Sequence, residues 1–100
     1  MRNRPAPVYY AIMTYIAQGQ HVYKALIEEI CRQNASQRSL EDLVSKANMH
    51  HARWQQVEAQ IAGRKRLTKR QAQIVLRYEV EAAALAMAVD TLTDMLEGCV

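Results

Sequence analysis

The sequence predicts an all-α fold, and three observations carry that prediction. Both prolines fall within the first seven residues and the three glycines are far apart, so long stretches contain nothing that forces a helix to break. Phe is absent, whereas Ala, Glu, Gln, Leu and Arg, all good helix formers, are abundant. Apolar residues recur at three- and four-residue spacings, the period of an amphipathic helix. A chain of 100 residues is expected to form one domain, 1–100, with one modest core. The expectation is a bundle of about five helices with a helix-turn-helix and a long C-terminal helix.

The first helical region is expected over residues 7–35. Proline is tolerated at the first helical position, so a start near Pro7 is natural. Val8, Tyr9, Ile12, Met13, Tyr15 and Ile16 make this stretch apolar on most sides, which calls for burial. Gln18-Gly19-Gln20 is a weak break, after which Val22, Leu26, Ile27, Ile30 and Cys31 form one stripe that either continues the first helix or restarts after Gly19. Residues 34–38 are polar and read as a loop. Ser39 then reads as an N-cap, with Asp42 three residues on, close to a capping box. Leu40, Leu43, Val44 and Ala47 line the short helix after it. Asn48 is the expected stop, because asparagine tolerates the conformation that ends helices. A helix from about His50 to Ala62 follows, with Trp54, Val57 and Ile61 as its inner stripe, and Gly63 ends it.

The last helix, over residues 68–97, begins at a second capping box, Thr68 with Gln71. Its apolar residues follow a heptad, including Val75, Tyr78, Ala82, Leu85, Val89, Leu92, Leu96 and Cys99. So long a stripe exceeds what a small core covers. A homodimer through Val75, Tyr78, Leu85, Val89, Leu92 and Leu96 is therefore expected, with packing inside the same chain as the alternative.

Charge is unevenly distributed. Residues 50–70 carry six basic side chains, Arg53, Arg64, Lys65, Arg66, Lys69 and Arg70, against the single acid Glu58. Residues 71–100 carry Arg77 against Glu79, Glu81, Asp90, Asp94 and Glu97. A positive cluster on a small domain suits a polyanionic partner. The plainer reading is a solvated basic loop.

Residues 39–62 have the layout of a helix-turn-helix: a capped short helix, the turn Asn48-Met49-His50, and a second helix with the basic loop at its end. Val44 would face Trp54 and Val57, with Met49 plugging the turn. His51, Ala52, Arg53, Gln55 and Gln56 would then lie outward. Arginine pairs with guanine and glutamine with adenine in the major groove. Arg64, Lys65, Arg66, Lys69 and Arg70 would lie along the phosphates and supply affinity independent of sequence. His50 and His51 would contact phosphates or base edges.

These residues carry a resemblance. The run from Ile30 through Ser39-Leu40-Glu41-Asp42-Leu43-Val44 and Asn48-Met49 to Trp54, Val57 and Glu58 is similar to the phage-repressor and Cro-like helix-turn-helix family. Gly63-Arg64-Lys65-Arg66-Leu67-Thr68 follows where that family carries a glycine, basic residues and a cap. The resemblance covers about residues 30–70. It implies base contacts by His51, Ala52, Arg53 and Gln56. The chain departs from the pattern in carrying Asn48 for the turn glycine and Val44 for a small alanine. Gly63 also falls three residues late.

Other chemistry is not indicated. His50 and His51 are adjacent and so diverge by about 100° on a helix, and Cys31 and Cys99 are far from them in sequence. No zinc-ligand spacing is present, and neither a metal nor a cofactor is expected. Glu28-Glu29 and the pair Glu79 and Glu81 read as solvated helix surface, and no enzyme is expected. The two cysteines form no CxxC pair and are expected to be reduced thiols. No signal peptide or apolar stretch of membrane-spanning length is visible, so a cytoplasmic protein without membrane contact is expected. The expected function is that of a homodimeric, phage- or plasmid-like DNA-binding transcriptional regulator, such as a repressor, acting on double-stranded DNA. The alternative is a small helical protein-interaction module, an adaptor, inhibitor or anti-activator, whose basic loop meets an acidic protein partner.

Overall fold

The computed structural model describes residues 8–64 and 66–98. It consists of four helices: α1 (Val8–Ala17), α2 (Lys24–Gln33), α3 (Gln37–Ile61) and α4 (Lys69–Glu97). The described residues contain no strand. α4 packs against each of the other three helices, and α3 lies along much of its length.

The first two helices end and begin for local reasons. Pro7 lies outside the described residues, and α1 starts at the next position. It ends in a Schellman motif: Gly19 takes φ +76°, and the N–H groups of Gly19 and Gln20 donate to Ile16 and Tyr15 at 2.9 and 3.0 Å. Gly19 is thus a true break, and the second stripe restarts at Lys24. α2 turns Ile27, Ile30 and Cys31 into the core.

α3 departs most from expectation. The loop before it is shorter, and Ser36 rather than Ser39 is the N-cap, its Oγ accepting the Ser39 N–H at 3.0 Å. Gln37 and Arg38, good helix formers, simply join the first turn. The expected turn at Asn48-Met49-His50 is absent, because α3 runs through it without interruption. Four helices therefore stand among the described residues where about five were expected, and residues 39–61 of the expected helix-turn-helix are part of one continuous helix. The physical reason is a balance of small and large terms. Asparagine inside a helix costs roughly 0.5–0.7 kcal/mol relative to alanine. A break would orphan several backbone groups and lift half of α3 away from α4. Met49 does not plug a turn but is 58% exposed, and Val44 also faces solvent.

α4 begins as expected. Thr68 Oγ1 accepts the Gln71 N–H at 3.0 Å, and Gln71 Oε1 accepts the Thr68 N–H at 2.9 Å. The helix then runs to Glu97, with Gly98 as its C-cap.

The core sits at one end of the molecule. Val8, Ile12, Ile27, Ile30, Cys31, Leu43, Leu85, Ala88 and Leu92 are buried together there. Among the described residues, none on α3 after Leu43 and none on α4 before Glu81 is buried. In that distal half Trp54, Val57 and Ile61 on α3, Leu67 in the connection, and Val75 and Tyr78 on α4 are half-buried. Half-burial is what two helices achieve without a third. The result is an elongated molecule of 50 × 28 × 25 Å: a four-helix head from which the α3–α4 hairpin projects as an arm.

Candidate functional site

The free end of the arm is basic. Arg53 on α3, Arg64 and Arg66 in the connection, and Lys69 and Arg70 in the first turn of α4 are all exposed. Lys65 lies outside the described residues. None of these five described side chains makes an ion pair within the described part of the molecule. Their charges are therefore turned to solvent, where like charges repel and favour an anionic partner. The N-terminus of α4 adds the positive end of a 29-residue helix to the same region.

The expected base-reading residues share one rod but not a recognition helix. His51, Ala52, Arg53 and Gln56 are exposed on α3, as anticipated. The short helix expected before it as a brace is absent, however, because the residues meant to form that helix are its own N-terminal turns. His51 borders a small groove of about 240 Å³ with Val44, Ala47, Ala86 and Val89. His50 is not available to a ligand. Its side chain is only 12% exposed and is held between two partners.

Those partners form a polar network that sequence reasoning missed. The Tyr9 hydroxyl lies 2.8 Å from His50 Nε2. His50 Nδ1 lies 3.3 Å from Glu81 Oε1, and Arg77 Nε donates to Glu81 Oε2 at 3.1 Å. A carboxylate only accepts, so the Nδ1–H of a neutral ring points to Glu81 and Nε2 accepts the tyrosine proton. Glu81 is thus not solvated surface but is 5% exposed, with both oxygens engaged. The chain Tyr9–His50–Glu81 ties α1, α3 and α4 together where the head meets the arm. Lys46 stands nearby, 5.3 Å from the Tyr9 ring centroid and 3.2 Å from Asp42, whose hydrogen bond and charge raise its pKa. A tyrosine–histidine–carboxylate line has the order of a proton relay, yet neither groove described here is lined by these three residues. Its evident work is to orient three helices. The only clue in the sequence was a histidine and a glutamate on the inward sides of their helices, a signal visible only once the register of α3 is known.

α4 has two stripes. Of the residues expected at a dimer interface, Leu85 and Leu92 are 0% exposed inside their own chain, while Val75, Tyr78, Val89 and Leu96 are half-buried. Leu85 and Leu92 are thus covered by their own chain, while the other four keep part of their surface open. Cys99, at the end of the same heptad, lies outside the described residues. On a second side of α4, Leu76, Val80 and Met87 are 58%, 42% and 40% exposed. With Ala83 and with Ile16 and Val22 of the α1–α2 region they line an open groove of about 650 Å³.

No described cluster of three or more His, Cys, Asp or Glu residues is arranged to hold a metal ion. No helix among the described residues is long and apolar enough to cross a membrane. Comparison with family models, curated proteins and solved structures returns no match to this chain.

Proposed function

We propose that this protein binds double-stranded DNA through its phosphates, using the basic end of the α3–α4 arm, without reading bases from a helix-turn-helix. The observation that carries the reading is the set of five exposed cations, Arg53 on α3 and Arg64, Arg66, Lys69 and Arg70 at the end of the arm, none of which makes an ion pair among the described residues. Each phosphate neutralised by such a side chain releases counterions, which supports affinity without base contacts. An arm narrower than the head gives these charges access that a flat patch would lack.

The test is binding of a random-sequence duplex by fluorescence anisotropy across a salt series. Affinity is expected to fall steeply with salt. Replacing Arg64, Arg66 and Arg70 together by alanine is expected to lower the slope of log K against log salt by about 3, if each contacts one phosphate. No binding at low salt, or a triple variant that binds like the parent, overturns the reading. Equal affinity for all duplex sequences is also expected.

A second reading, a protein-interaction module, is favoured by one separate observation: the exposed apolar residues Leu76, Val80 and Met87 on a single face of α4. Large exposed apolar residues aligned on one face mark contact surfaces more often than scattered ones do.

A further inference from the structure

The outer face of α4 has an order that the inner one lacks. Its centre is Leu76, Val80, Ala83 and Met87, spaced four, three and four residues apart, which is a heptad seam. The same spacing continues to Gln73 and Lys69 toward the arm's tip, and to Asp90 and Asp94 toward the head. Every one of these positions is exposed. The seam lies roughly 125° around the helix from the buried residues Glu81, Ala84, Leu85, Ala88 and Leu92, so it stands beside the core and is open to solvent. Lys69, Asp90 and Asp94 form no ion pair among the described residues.

We infer that this face docks a second copy of the same chain, α4 against α4 in antiparallel orientation. The pattern is self-complementary about a point midway between Val80 and Ala83. A twofold axis there sets Leu76 opposite Met87 of the second copy and Val80 opposite its Ala83. It also sets Gln73 opposite Asp90 and Lys69 opposite Asp94, so that the basic end of each seam meets the acidic end of the other. Isologous pairing demands such complementarity of a patch with itself. The small Ala83 opposite Val80 lets the helices approach closely at the axis. Ile16 and Val22 wall the groove beside the seam and extend the apolar contact. Between Lys69 and Asp94 the seam is roughly 37 Å long at 1.5 Å per residue. Arg64, Arg66 and Arg70 lie off the seam and keep their charges free.

The experiment is sedimentation equilibrium of the full chain over a range of concentrations. A reversible monomer–dimer equilibrium is expected. Val80→Glu and, as an independent check, Leu76→Glu should each raise the dissociation constant by about tenfold or more; both sites are solvent-exposed, and circular dichroism checks the fold. Lys69→Asp alone and Asp94→Lys alone should each weaken the dimer, because each places like charges opposite one another twice. The double variant should recover affinity to near that of the parent. A monomer at every concentration overturns the inference, as does a dimer indifferent to Val80→Glu and Leu76→Glu. A dimer indifferent to Lys69→Asp also overturns it, since a parallel pairing sets position 69 against itself and merely exchanges one like-charge pair for another.

Discussion

Cys31 shows how position sets chemistry at the level of a single residue. Its thiol is fully buried against α4, with Sγ 3.8 Å from the Ala88 carbonyl oxygen. Burial first, and the charge of Glu28 second, push its pKa from an ordinary 9.0 to about 11. A thiol held neutral in the folded protein but ionised in the unfolded one makes stability fall as pH rises. The unfolded chain releases its proton from about pH 9, and the folded protein follows only near 11. The advantage of Cys31 over a Cys31→Ala variant, measured by urea denaturation, is therefore expected to be constant below pH 8. It should shrink between pH 9 and 11. An advantage that grows across that window would contradict the burial argument. Glu81 makes the same point in reverse. A residue that reads as surface is buried, because a histidine on one neighbour and an arginine four residues back satisfy both of its oxygens.

The continuity of α3 is the decisive fact at the level of elements. Asn48, the residue with the best claim to end a helix, sits in the middle of 25 helical residues with its side chain exposed. Substitutions there discriminate between a rod and a turn. Asn48→Ala is expected to stabilise the protein by about 0.5 kcal/mol, and Asn48→Gly to destabilise it by a few tenths. A turn would give the opposite order, because glycine relieves a left-handed conformation. Thermal or chemical denaturation of the two variants decides the matter. The start of α4, by contrast, needed no tertiary information. Thr68 and Gln71 satisfy each other's backbone N–H groups within one turn of chain.

The molecule as a whole divides into a packed head and a two-helix arm. All the buried residues belong to the head, and the arm's seam of Trp54, Val57, Ile61, Val75 and Tyr78 is only half-covered. Regions with few buried contacts open at lower free energy than the core. Amide exchange is therefore expected to be slowest at Leu85, Ala88 and Leu92, and distinctly faster at 54–61 and 70–76 of the same helices. Uniform protection along α4 would show that the arm is not a separate unit of stability. The basic end at the arm's tip and the outer seam of α4 lie on surfaces that the core does not use, and of the residues named for them only Lys69 belongs to both.

Local rules determined what the sequence settled unaided: a helical chain, the capped start of α4 and its end at Glu97, and the concentration of positive charge in 53–70. Each depends on residues within a turn or two of one another. Tertiary packing decided the rest. Whether Asn48 ends a helix depends on what α4 offers the residues beyond it, and which side of α4 faces home depends on how α1 and α2 fold back. Over residues 75–89 both of two heptads two residues out of phase are apolar, and packing against the other three helices left Leu76, Val80, Ala83 and Met87 of one of them facing water.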